Sequence, residues 1–147
     1  MPLFTPNTPS TAISVYSSAA QSINATSITK IQFDRKIYDT KTEFDAVTNF
    51  RFTATVAGRY LVVLSITYVN PAALKSYYAV IRKGGVDLTN AVVAGGGNTF
   101  VTAISTVVVS LAIGEYIEGY AYHNSVGAIS TLAGDAVPTY MIINKVN

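Results

Sequence analysis

Three runs of this chain are apolar on both of the faces that an extended strand presents. They are residues 59–69 ("RYLVVLSITYV"), 100–113 ("FVTAISTVVVSLAI") and 139–143 ("TYMII"). Successive side chains of a strand point to opposite sides, so a strand with one wet face alternates apolar with polar. Residues 49–56 do this: Phe50, Phe52, Ala54 and Val56 alternate with Asn49, Arg51, Thr53 and Thr55. In a two-sheet sandwich each strand turns one face to the core. A second apolar face on several strands needs another cover. No segment carries a sustained helical period with caps, so the chain offers no helix for the purpose. The natural cover is another copy of the same chain in a closed ring.

Composition supports this. Only 12% of the 147 residues are charged, about half the usual 25%, so part of the surface is expected to be buried between subunits. The length suits one domain with a real core. The net charge is +2 with Lys and Arg scattered, so neither a nucleic-acid patch nor a membrane footprint is expected. There is no cysteine, which excludes a disulfide framework and thiolate metal sites. "MPLFTPNTPSTAIS" lacks a basic stretch followed by an apolar one, so it does not read as a signal peptide, and synthesis in the cytoplasm is expected. The most apolar run is shorter than the roughly 20 residues of a membrane helix and is broken by Ser and Thr. Membrane insertion is not expected.

Along the chain the signals are strands and turns at about 8–12-residue spacing, the pattern of an all-β sandwich or jelly roll. Residues 1–13 are rich in Pro, Thr and Ser. They read as an arm outside the core, with docking on a neighbour or scaffold as the sharper alternative. The domain then spans residues 14–147. "SYYAVIRKGGVDL" reads as a hairpin around a "KGG" turn. "NPAA" ends a strand at Pro71, and "AGGGN" and Gly114 mark further turns. Gly58 is expected in a tight turn between two strands, where positive φ would demand glycine.

In order and spacing these pieces resemble the complement C1q domain, a relative of the tumour necrosis factor-like jelly rolls. The long match is "FDRKIYDTKTEFDAVTNFRFTATVAGRYLVVLSITY", in which Phe33, Asp39, Phe44, Phe52, Gly58 and Tyr60 take the family's signature positions. "AVIRKGG", "VVVSLAIGEYIEGYA" and "YMII" resemble later parts, and the lead-in "VYSSAAQSI" resembles phage-encoded and bacterial members. Val62 and Leu64 stand where the family carries aromatics, and one extra residue lies between Phe44 and Phe52. The resemblance covers about residues 14–146. It implies a ten-strand, two-sheet jelly roll assembling as a compact homotrimer with its inner sheet toward the threefold axis. By that alignment Tyr60, Val62, Leu64 and Ile66 fill the core, while Leu61, Val63, Ser65 and Thr67, with Ile104, Thr106 and Val108, form the trimer interface.

Signals for chemistry are sparse. His123 is the only histidine. It reads as a strand-end or loop residue, with a meeting of three copies on an axis as the alternative. Asp34 and Asp39 flank "RKIY", Glu43 and Asp45 flank Phe44, and "TEFDAVTN" could supply oxygen ligands to calcium, which some members of the family bind near the trimer apex, but a solvated loop is the simpler reading. No Gly-x-Ser-x-Gly elbow is present. Tyr116, Tyr120 and Tyr122 share one strand face with Glu118, and Ile117, Gly119 and Ala121 share the other. The tyrosines either cover the outside of the sheet or form an aromatic binding surface for sugar or protein. Tyr77 and Tyr78 face opposite ways, so at most one is exposed. Asn24-Ala25-Thr26 is a glycosylation sequon whose use depends on a eukaryotic secretory setting. No cofactor is expected. The function expected is a non-enzymatic structural trimer, a virion surface component such as a capsid decoration, spike or fibre tip, attached to a capsid or tail scaffold through residues 1–13. A trimeric module binding a glycan or protein receptor is the alternative.

Overall fold

The computed structural model describes residues 9–134 and 139–147. Their regular structure consists of strand segments: β1 (Ala12–Tyr16), β2 (Ser22–Ile23), β3 (Thr29–Lys30), β4 (Arg35–Asp39), β5 (Phe44–Asp45), β6 (Arg51–Thr53), β7 (Gly58–Val69), β8 (Ser76–Lys83), β9 (Val86–Ala94), β10 (Phe100–Leu111), β11 (Tyr116–His123), β12 (Ile129–Ser130) and β13 (Tyr140–Lys145). All pairings are antiparallel. An inner sheet has the order β10-β7-β13-β1-β4, and an outer sheet the order β5-β6-β11-β8-β9 with β3 also on β11. β12 and β2 form a small separate ribbon.

The three doubly apolar runs are β10, β7 and β13, and they lie side by side in the inner sheet. The alternating run belongs to the outer sheet. Between the sheets Tyr60, Val62, Leu64 and Ile66 of β7 are fully buried, as the alignment requires, and Tyr68 continues the row. They meet Phe33, Phe44 and Phe52, which are also buried. Gly119 keeps the core close: a Cβ there would stand 2.8 Å from Leu64 Cδ1 and 3.2 Å from Phe33 Cε2. The "KGG" hairpin forms as read, with Gly84 and Gly85 at φ 58° and 80° between β8 and β9, the pair of positive φ values that a two-residue I′ turn needs.

Three expectations need correction. The domain does not begin at Ser14. β1 starts at Ala12, Ile13 is fully buried, and Thr11 donates to Glu43 Oε2 at 2.6 Å. Residues 11–13 are thus part of the jelly roll, and of the expected arm residues 1–8 lie outside the described residues. Second, the alternating strand is short. β6 covers only Arg51–Thr53, because Asp45 collects the N–H groups of Val47, Thr48 and Asn49 into a turn that delivers Phe50 at φ 48°. Third, Gly58 opens β7 rather than sitting in the bend at 55–56. Its backbone requirement comes from a close approach: an added Cβ would stand 2.4 Å from the Asn147 carbonyl oxygen.

Candidate functional site

The register of the inner sheet sets the outward face residue by residue. Val108 pairs with Leu61, Thr106 with Val63, Ile104 with Ser65 and Thr102 with Thr67 across β10 and β7. On the other side of β7, Val63 pairs with Ile142 and Ser65 with Tyr140, and these continue to Ser14 and Tyr16 of β1. Directly opposed residues share a face. All seven side chains expected on the contact side therefore lie on one surface, away from the core. It carries no charge between Arg59, opposite Ser110 at one end, and Arg35, opposite Tyr16 at the β4 edge. Ile104 and Val108 are 53% and 56% exposed, whereas Ser65 and Thr67 are already buried within the subunit. The Thr67 and Thr102 hydroxyls lie 2.6 Å apart and bond each other on this surface.

The same side of the sandwich carries two free strand edges. β10 ends the inner sheet and β9 ends the outer one, and the two strands lie against each other. β10 has no charged residue and β9 has one, Asp87. Val86, Leu88, Val92 and Phe100 are exposed there. Edge strands of soluble proteins usually carry Lys, Pro or a cover against pairing. These carry little of either.

On the outer sheet, Tyr116, Tyr120 and Tyr122 all point outward and are half-buried, while Ile117, Gly119 and Ala121 are buried beneath. The three tyrosines are not equivalent. The Arg51 guanidinium lies 4.1 Å from the Tyr116 ring centroid, and Arg82 lies 4.5 Å from that of Tyr120. Tyr120 also donates to Glu118 Oε2 at 3.1 Å, and Lys30 Nζ meets Glu118 Oε1 at 2.5 Å. Burial, and then the Glu118 charge, raise the Tyr120 pKa. Cations therefore lie over these two rings. Tyr122 instead forms an edge-to-face pair with Tyr78, at 5.4 Å and 73°. Arg51, Arg82, Lys30 and Tyr78 are members of this surface that strand parity within β11 could not reveal, because they arrive from β6, β8 and β3.

The other singled-out groups are engaged within the fold. Asp34 accepts from the Ser18 N–H and hydroxyl, and Asp39 from the Glu43 and Phe44 N–H groups and Lys36. Glu43 accepts from Thr11 and from the Thr55 N–H and hydroxyl. Asp45 caps its own turn. Among the described residues no three acids or histidines gather as metal ligands. His123 ends β11 on the core side and is fully buried. Its Nε2 donates to the Ile23 carbonyl at 2.8 Å, which leaves Nδ1 to accept from Ser125 Oγ at 2.7 Å. The ring stacks on Tyr77, with centroids 5.9 Å apart. It lies in the outer sheet's core layer with no exposed surface, so three copies of it cannot meet.

No protein-family model matches the sequence, nor does any curated protein. Solved structures match over nearly its whole length. The globular domain of zebrafish complement 1qA superposes with a TM-score of 0.69 at 14% identity, over 93% of this chain and 98% of that one. The Eiger TNF of S. frugiperda gives 0.70 at 9%, over 95% and 94%. PRD1 vertex protein P5 gives 0.69 at 12%, over 94% and 98%. With the sheet order and the buried signature residues, these likenesses establish that the chain has the jelly-roll fold of complement C1q and tumour necrosis factor domains.

Proposed function

We propose that the protein is a non-enzymatic homotrimer that works as a structural component of a virion surface, as a capsid decoration, spike or fibre tip. The observation that carries the trimer is the uncharged inner-sheet face, whose Ile104 and Val108 no described element of the chain covers. A heterologous contact resolves two problems at once. The face of one subunit takes the apolar β9–β10 edge of the next, and a closed ring of such contacts covers both that face and that edge in every subunit. A second copy fits better than a different partner, because both halves of the contact are present on one chain. Light scattering at micromolar concentration is expected to give the trimer mass, and a monomer there overturns the reading.

The virion assignment draws support from a similar structure that is, by name, a vertex protein, and from the Pro/Thr-rich start of the chain, to which we assign attachment to a capsid or tail scaffold. Antibody labelling of purified particles tests it. Label on particles, lost when residues 1–8 are deleted while the mass in solution stays trimeric, is the expected result. Absence of the protein from particles would favour the second reading, an extracellular recognition module, which the outward tyrosines of the outer sheet recommend.

A further inference from the structure

We infer that a shallow groove on the outer sheet, between Tyr122, Tyr78 and Asn90, binds a neutral saccharide. The groove is lined by Ile28, Tyr78, Val80, Asp87, Asn90 and Tyr122, together with Thr26. Strand pairing builds it in rows. Tyr122 stands opposite Tyr78, and Val80 stands between Tyr120 and Asn90. The bulge between Ile81 and Arg82 brings Asp87 opposite Arg82. Val80 is buried and makes the apolar floor. Around it stand polar tips with no hydrogen-bond partner among the described residues: the hydroxyls of Tyr78 and Tyr122 and the amide of Asn90. Asp87 uses Oδ1 for Arg82 Nε, at 2.5 Å, which leaves Oδ2 for a ligand.

This set matches the chemistry of a sugar ring. A hexose has an apolar C–H face and a rim of hydroxyls, each of which both donates and accepts. Tyrosine supplies apolar area with a polar tip at small entropic cost. The amide can donate and accept, and the carboxylate accepts only. A few such groups over an apolar floor are what fix a small ligand's orientation. Arg82, opposite the groove's Asp87, is paired with it and stacked on Tyr120, while the free carboxylate oxygen repels anions. The ligand is therefore neutral rather than sulfated or carboxylated. Tyr116 and Tyr120 take no part, because guanidinium groups already lie over their rings. The groove opens on the outward face of the outer sheet, away from the inner-sheet face assigned to self-association, and its Asp87 and Asn90 wall borders the β9 edge that takes part in the proposed contact.

The full chain should be run by affinity electrophoresis and saturation-transfer NMR against dextran, laminarin, galactomannan and chitotriose, with heparin and alginate as anionic probes. At least one neutral probe is expected to bind. Asn90→Ala, which loses no intramolecular partner, and Tyr122→Ala are each expected to weaken it about tenfold or more, whereas Tyr116→Ala leaves it unchanged. No binding of any neutral probe, binding of anionic probes alone, or equal binding by wild type and Asn90→Ala overturns the inference. Light scattering on the same samples reads the oligomeric state separately, so failure of one reading is not mistaken for failure of the other.

Discussion

A side chain on Gly58 has no room. Its Cβ would meet the Asn147 carbonyl oxygen at 2.4 Å and Lys145 Cε at 2.6 Å. The lysine tip can swing away, but the backbone oxygen, which accepts from the Arg59 N–H at 3.1 Å, cannot move without breaking that bond. Gly58→Val is expected to cost about 1–3 kcal/mol by overpacking and to lower Tm by several degrees in a thermal scan. An unchanged Tm refutes the contact. The sequence singles out this glycine but not the reason, because the crowding atoms belong to the far end of the chain. Asp39 shows the same limit: its place beside Phe44 is legible, its donors are not. Burial pushes its pKa up, but the bonds from Lys36 and the Glu43 and Phe44 N–H groups outweigh burial and hold it below the ordinary 3.8. A carboxylate lowered on folding stabilises above its unfolded pKa, and the contribution is lost as pH falls through the folded value. Urea midpoints measured from pH 7 down to pH 2 should therefore fall below about pH 4, and fall less steeply for Asp39→Asn, which starts from a lower stability at pH 7. Equal slopes would remove Asp39 from the acid response.

Among the elements, the long ones were legible and the start of the domain was not. β7, β10 and β13 announce themselves by β-branched runs, and the "KGG" turn by its glycines. β1 hides in a stretch of Pro, Ser and Thr, because only Ile13 and Val15 face the core while Thr11 is buried through its bond to Glu43. A chain starting at Ser14 would lose that bond and the fully buried Ile13. It is expected to unfold or to melt far below the full protein, whereas Ile13→Ala alone should cost about 2–5 kcal/mol, read as a shift of the urea midpoint. A Ser14 start with wild-type stability would mean that Thr11, Ala12 and Ile13 contribute nothing. β6 fell short of its alternating pattern for a different reason: the Asp45 turn takes over the backbone before Phe50 can extend. Period alone does not show where a side chain will capture N–H groups.

For the whole molecule, the sharpest test contrasts the two sheets. Val63 sits at the centre of the uncharged face, and Thr53 sits on the outward side of the outer sheet opposite Tyr116. In a trimer Val63→Lys places three unpartnered charges in contacts, each costing a few kcal/mol, comparable in sum to the roughly 5–15 kcal/mol that stabilises a domain. It is expected to give monomer or aggregate on size exclusion, while Thr53→Lys changes stability by no more than about 0.5 kcal/mol. An intact, equally stable Val63→Lys trimer removes this face from the interface. The all-β sandwich was legible from strand period and turn spacing, and the jelly roll from the family resemblance; the pairing of β9 and β10 as neighbouring edges was not, because it exists only once both sheets are in place. The sheet order carries one more consequence, for the timing of assembly. β13, last of the strands in chain order, lies between β7 and β1 in the middle of the inner sheet. While the chain is emerging from a ribosome, β1 and β4 can pair and β7 and β10 can pair, but the two halves have nothing to join them. The inner sheet closes only once Lys145 is out, so its outward face is completed last. Such distant pairing is intrinsically slow, and the completed outward face has to wait for it.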